Sequence, residues 1–126
     1  MVKKAVVEQI QLDFNFTKKN PKILGILLYG SRVTEDITSR SDIDICVVVP
    51  NHDLHQIYEY LMENFQGNVE GYDIRFFEEL SLYIQAEVIE KGVVLICQDE
   101  PTLFEYFFKY RKRWQDQKYR LDLLAT

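Results

Sequence analysis

Apolar and polar positions alternate along the chain in two patterns, which together predict four strands and four helices. Short, mostly apolar runs bounded by turn residues predict strands at 23–29, 42–49, 69–77 and 93–97. Apolar residues at three- and four-residue spacing predict helices at 2–14, 54–65, 79–90 and 101–123. We therefore expect an α/β (α+β) fold, in which a small mixed sheet of about four strands is flanked by helices, with one helix at each end of the chain.

The periodicity also predicts which helix residues are buried. The two middle helices have inward faces formed by Leu54, Ile57, Tyr58 and Leu61 and by Leu80, Tyr83, Ile84 and Val88. The last helix has an apolar stripe of Leu103, Phe107, Tyr110, Trp114, Leu121 and Leu124, with basic residues elsewhere. Such a helix is typical of packing on its own domain or on a partner protein, and RNA binding is the less favoured alternative.

Length and composition indicate one domain at 1–126, with a core at about 23–98 and a C-terminal helix after it. The formal charge of −5 argues against a general nucleic-acid-binding protein, whose binding surface is usually basic. Cys46 and Cys97 lie in predicted strands, and we expect two buried, reduced thiols in a cytoplasmic protein. We expect neither a signal peptide nor a membrane span.

The polar residues with the clearest chemistry lie around the second predicted strand. The first strand ends at Gly30-Ser31, and Asp42 and Asp44 open the second. Residues two apart on a strand project from one face, so these aspartates lie together beside a tight turn. Neighbouring carboxylates repel each other unless a cation neutralises them, and Mg²⁺ prefers such oxygen ligands. Because glycine also lets a phosphate approach the backbone closely, the pattern predicts chemistry on a nucleoside triphosphate.

The arrangement of Gly30-Ser31, ten residues, and then Asp42-x-Asp44 resembles the motif of the nucleotidyltransferase superfamily related to DNA polymerase beta. The arginine that follows at Arg32 is similar to the turn of the minimal nucleotidyltransferases, which are small one-domain members. The run 89–95, in which a helix ends at a glycine before a strand, also resembles the end of those proteins. The resemblance therefore spans roughly 23–98.

The resemblance implies a Mg²⁺-dependent enzyme that uses ATP. It implies that Asp42 and Asp44 bind the metal, and that Gly30, Ser31 and Arg32 bind the phosphates of the nucleotide. It also implies a third carboxylate from the strand beside the Asp42–Asp44 strand. Asp73 matches that position, where it would share a metal and act as general base. Without the resemblance, Asp73 is typical of a surface residue, and Arg75 on the same face either pairs with it or faces solvent.

The resemblance also implies a partner and leaves alternatives open. Minimal nucleotidyltransferases of the MntA type are typically paired with a HEPN-family toxin, which they silence as an antitoxin by adenylylating a tyrosine. The family, however, often has a second arginine and a glycine after this turn, whereas this chain has Thr34 and Glu35, followed by Asp36. The two acids, Glu35 and Asp36, would weaken nucleotide binding. One alternative is therefore a non-catalytic antitoxin that neutralises its partner by occlusion, and another is an enzyme that modifies a small molecule or an RNA end. A metal site at His52, Asp53 and His55 is less favoured than an exposed helix start there.

Overall fold

The computed structural model describes residues 4–30, 43–67 and 69–125. Within these ranges the helices are α1 (Lys4–Phe14), α2 (Leu54–Asn64), α3 (Leu82–Lys91) and α4 (Glu100–Ala125). The strands are β1 (Gly25–Leu28), β2 (Ile43–Val48), β3 (Tyr72–Phe76) and β4 (Val93–Cys97). Short 3-10 segments lie at Asn15–Lys19, Val69–Gly71 and Phe77–Glu79. The order of helices and strands agrees with the prediction, while several of their ends differ.

The strands form one mixed sheet in the order β3-β2-β1-β4. Strand β1 runs antiparallel to β2 and to β4, and β2 runs parallel to β3. The parallel pair follows from the connection, because α2 crosses over between β2 and β3. This topology confirms the predicted mixed sheet and places β3 at one of its edges.

Both faces of the sheet are covered. One face packs against residues of α1 and α2, and its buried cluster includes Phe14, Ile26, Ile45, Ile57 and Leu61. The other face packs against α3 and α4, with Leu27, Cys46, Phe77, Val88 and Phe107. Burial of a large apolar side chain is worth about 1.5–3 kcal/mol, so these two layers hold the central strands firmly in place.

Two of the predicted inward positions are wrong. Tyr58 on α2 is 46% exposed and Tyr83 on α3 is 57% exposed. Tyr58 lies beside the open edge of the sheet, where no further strand covers it within the described ranges. On α3 a polar residue is buried instead, because the Gln85 Nε2 group donates to the Phe77 carbonyl at 2.8 Å.

The ends of two elements also differ from the prediction. Helix α3 begins at Leu82 rather than at residue 79, because Ser81 Oγ accepts the Ile84 N–H at 3.4 Å and caps the helix. Strand β3 begins at Tyr72 rather than at Val69, because Val69–Gly71 forms a 3-10 turn. Periodicity locates such elements well but does not resolve the turns that bound them.

Helix α4 is 26 residues long, and only its first half packs on the domain. Leu103 and Phe107 are buried, and Trp114 contacts the Tyr83 ring at 5.6 Å between centroids. Beyond this point residues 115–125 are all exposed, including the predicted stripe residues Leu121 and Leu124. The expectation that the helix packs on its own domain is confirmed for its first half alone.

The cysteines and the polar residues at the start of α2 are also subjects of prediction. Both thiols are free, with Cys46 buried and Cys97 partly exposed. Asp53 caps α2 by accepting the N–H groups of His55 and Gln56, as expected of an exposed helix start. Across the described ranges, no cluster of three or more His, Cys, Asp or Glu side chains is arranged to hold a metal. No helix in those ranges is both long and apolar enough to cross a bilayer.

Candidate active site

The site begins at Gly30, where β1 ends. Its φ of +84° lies in the left-handed region that residues with a side chain rarely adopt. A Cβ atom at this position would lie 2.5 Å from Oδ2 of Asp44. The Tyr29 N–H donates to the Asp44 carbonyl at 3.2 Å and holds the end of β1 against β2. Glycine is therefore required for two reasons, the backbone angle and the closeness of the Asp44 carboxylate.

The parallel pairing of β2 with β3 aligns Asp44 directly with Asp73. Paired residues on adjacent strands project from the same face, and such strands lie about 4.8 Å apart. Both aspartates are partly exposed, and their face of the sheet also carries Cys46 and Tyr29. The crossover through α2 thus brings together two carboxylates that are distant in sequence. We call these residues the Gly30–Asp44–Asp73 corner.

Arg75 lies on the outer side of this corner. Its Nε is 3.3 Å from Oδ1 of Asp73 and 3.4 Å from Oδ2. The arginine side chain is 60% exposed, so the pair contributes little to stability. Of the two positions expected from the sequence, pairing with Asp73 and facing solvent, Arg75 therefore takes both. Its charge offsets part of the repulsion between Asp44 and Asp73.

The charges of the corner act on the pKa of the Tyr29 hydroxyl. Burial is the largest cause that raises its pKa to about 12, followed by the Asp44 carboxylate. Cys46 and Asp73 raise the pKa further, while Arg75 lowers it. Because both aspartates act on this one hydroxyl, their charges converge on the same region. Sequence reasoning missed Tyr29, which stands out in no way from the apolar run before Gly30.

The structure brings three of the predicted site residues together, namely Gly30, Asp44 and Asp73. The other three, Ser31, Arg32 and Asp42, lie outside the described residues, as do Glu35 and Asp36. The roles of all six predicted site residues stay predictions at this point.

A second polar cluster, missed from the sequence, lies at the opposite end of β2. The Glu78 carboxylate accepts the Val49 N–H at 3.1 Å and the Tyr106 hydroxyl at 2.7 Å. The Tyr106 and Tyr110 hydroxyls are 3.1 Å apart. Burial raises the pKa of Glu78, and the hydrogen bonds from Tyr106 and Val49 oppose that shift. The cluster ties α4 to the end of β2 and so fixes the sheet at the end away from the corner.

The donor groups of the corner fit a divalent cation. Asp44 and Asp73 supply carboxylate oxygens, which are the ligands that Mg²⁺ prefers, and they supply no sulfur or nitrogen. A cation between two adjacent carboxylates relieves their repulsion. Gly30 is exposed, and glycine permits a close approach of a phosphate group to its backbone. The corner is therefore suited to a metal and the phosphates of a nucleotide.

Comparisons with known proteins agree with this geometry. Residues 13–101 match the family described as polymerase beta, nucleotidyltransferase. Over 100 residues the chain is 47% identical to the Methanocaldococcus jannaschii protein named "Putative protein adenylyltransferase MJ1547", covering 79% of this chain and 76% of that protein.

Two solved structures have a similar fold. One is the MNT antitoxin in complex with the tri-AMPylated HEPN toxin of Shewanella oneidensis, with a TM-score of 0.61 and 16% identity over 94% of this chain and 95% of that one. The other is a mutant MntA toxin–antitoxin complex, with a TM-score of 0.62 and 18% identity over 94% of each chain. At these identities the likeness concerns the fold, and the predicted nucleotidyltransferase fold is confirmed.

Proposed function

The chain belongs to the polymerase beta nucleotidyltransferase family, and we propose that it transfers AMP from ATP to a hydroxyl group of a partner protein. The observation that carries this proposal is the alignment of Asp44 with Asp73 beside Gly30. The 47% identity to a relative named for protein adenylylation supports a protein as the acceptor. The proposed site also includes Asp42 as a metal ligand, and Ser31 and Arg32 as phosphate-binding residues.

In this proposal each residue of the corner has a separate task. Asp44 and Asp73, with Asp42, would hold Mg²⁺, which when bound neutralises the carboxylates and polarises the α-phosphate. The exposed backbone at Gly30 would bind the β- and γ-phosphates, because glycine permits their close approach. The α-phosphate then lies between the glycine turn and β3.

Asp73 is the group that would take the proton from the acceptor. Its carboxylate lies on the outer strand, farther from the glycine turn than Asp44. The acceptor oxygen forms a bond to the α-phosphorus while the bond to the β-phosphate oxygen breaks, and pyrophosphate leaves. The hydroxyl proton passes to the Asp73 carboxylate and then to water.

The partner we propose is a HEPN-family toxin, with a tyrosine as the acceptor, so that the chain acts as an antitoxin. Support comes from the solved structures of similar fold, one of which holds an AMPylated HEPN toxin. The described residues offer a further surface for a partner, because residues 115–125 of α4 are exposed and carry apolar side chains such as Leu121 and Leu124.

The test uses the purified chain, Mg²⁺, ATP labelled at the α-phosphate and the protein encoded by the neighbouring gene, which the proposal expects to be a HEPN-family toxin. We expect label to appear covalently on that protein, and Asp44→Asn to abolish the transfer. The Asp44→Asn chain serves also to separate the alternative of occlusion. If it neutralises the toxin as fully as the wild type, without nucleotide and without label, the chain is a binding antitoxin and the proposal is wrong.

A further inference from the structure

Strand β3 is the last strand at one side of the described sheet. Within the described ranges, no strand pairs with the side of β3 that faces away from β2. In any strand, alternate residues direct their N–H and C=O groups to opposite edges, so about half of those in β3 point outward. An exposed edge of this kind can pair with an extended segment of another chain.

Two open cavities follow this edge. The larger, about 500 Å³, extends from the α2 residues Leu54 and Tyr58 across β3 to Leu80. The smaller, about 210 Å³, continues toward the start of β3 at Tyr72. The two cavities share three lining residues, namely Tyr58, Asp73 and Ile74. They therefore form one groove, which we call the β3 groove, and Asp73 lies in its middle.

The β3 groove is on the correct side of the site for an acceptor. Across the sheet, Asp73, Asp44 and the end of β1 at Gly30 form a row on adjacent strands, about 4.8 Å apart. In phosphoryl-group chemistry the attacking and leaving oxygens lie roughly in line on opposite sides of phosphorus. If the leaving phosphates lie at Gly30, the attacking hydroxyl enters from beyond Asp73, which is the open edge.

We infer that the β3 groove binds an extended segment of the acceptor protein, which adds to β3 as an extra strand and presents its hydroxyl to Asp73. The inference rests on the proposed function, which it deepens by naming how the acceptor is held. Strand β3 has five residues, so the groove accommodates a segment of about the same length, roughly 16 Å.

The alternation of a strand predicts the pattern of that segment. On β3, Asp73 and Arg75 project from one face, and Ile74 projects from the other toward the hydrophobic cluster beneath α2. A residue paired beside Asp73 has its Cβ about 5 Å away on the same face. Its two neighbours project from the opposite face toward Leu54, Tyr58 and Ile74. The acceptor hydroxyl should therefore stand between two apolar residues.

Tyr58→Lys tests the groove without touching the corner, because Tyr58 is exposed on α2 and should tolerate a charge. Tyr83→Lys is the matched control, since Tyr83 is also an exposed helix tyrosine but lies on α3, outside the groove. With the protein encoded by the neighbouring gene as acceptor, we expect Tyr58→Lys to raise the KM for that acceptor about tenfold, as loss of one aromatic interface contact would. Affinity for Mg²⁺–ATP should stay unchanged, and Tyr83→Lys should behave as the wild type.

Hydrogen exchange gives a second measurement that does not depend on transfer. In a complex made with Asp44→Asn, the outward amides of β3 should exchange more slowly than in the free chain. Label transfer with unprotected β3 amides, or equal KM values for the two lysine variants, would overturn the groove and leave the proposed function standing. Protected β3 amides without any transfer by the wild type would support binding in the groove and overturn the proposed function. If neither transfer nor a complex is found, both proposals fail.

Discussion

Replacing Gly30 by alanine tests the geometry of the corner with a single methyl group. The new Cβ would lie 2.5 Å from Oδ2 of Asp44, whereas ordinary contacts begin near 3.4 Å. The carboxylate must therefore retreat by about 0.9 Å, or β1 must move away from β2 by as much. A misplacement of about 1 Å at a reacting centre can cost about 100-fold in rate, so we expect Gly30→Ala to lose about that much transfer activity.

The same substitution has a second cost that must be separated from the first. A residue with a side chain in the left-handed region costs roughly 1–2 kcal/mol, which lowers stability whatever surrounds it. Gly67 provides the control, because its φ is +110° and, apart from its chain neighbours, no described residue lies within 4 Å of the Cβ that alanine would add. Gly67→Ala should therefore lose comparable stability but keep its activity.

The assay compares both variants with the wild type by urea unfolding and by the initial rate of AMP transfer. Measuring rates well below the melting temperature keeps the lost stability from reducing the folded fraction. We expect similar unfolding free energies for the two alanine variants and a large difference in their rates. If Gly30→Ala transfers AMP as fast as Gly67→Ala, the contact between Gly30 and the Asp44 carboxylate does not matter for catalysis.

Two further predictions concern the frame around the corner. Because the folded-state pKa of Glu78 is raised above its ordinary value of 4.5, the stability that Glu78 contributes is complete below about pH 4.5 and is lost as the pH rises through the folded-state pKa. Urea unfolding should therefore show the wild type losing stability relative to Glu78→Gln as the pH rises from below 4.5 toward neutrality, and a constant difference would contradict this. Ending the chain at Trp114 should change the unfolding free energy by less than about 1 kcal/mol, because residues 115–125 are exposed; a loss of several kcal/mol would show that they stabilise the domain.

The sequence predicts most of the fold because each central element carries a strong local pattern. Strand β1 and residues 45–48 of β2 are continuous apolar runs, and both are buried on both faces. The exposure of Tyr58 and Tyr83 is not predicted by the same local pattern. Helical spacing says which residues share a face, but burial depends on what lies opposite that face. Tyr58 meets the open edge of the sheet, and Tyr83 meets the exposed part of α4 at Trp114.

The candidate site was predictable in part for the same reason. Gly30 and Asp44 are found from the local motif, whereas the position of Asp73 beside Asp44 requires the parallel register of two strands. Glu78 could not be found at all. In the sequence it is one of two adjacent glutamates after an aromatic pair, and its partners Val49 and Tyr106 are 29 and 28 residues away.

We propose that Asp44 and Asp73 form one site for a metal and a nucleotide, and Mn²⁺ binding measures whether they do. Electron paramagnetic resonance can follow the loss of free Mn²⁺ as the wild type, Asp44→Asn and Asp73→Asn are titrated with a non-hydrolysable ATP analogue present. Glu79→Gln removes a nearby exposed carboxylate outside the corner and controls for overall charge. We predict that affinity falls at least about tenfold, or 1.4 kcal/mol, in both aspartate variants and stays near the wild-type value in the control. Equal Mn²⁺ affinity in all four proteins would contradict the claim.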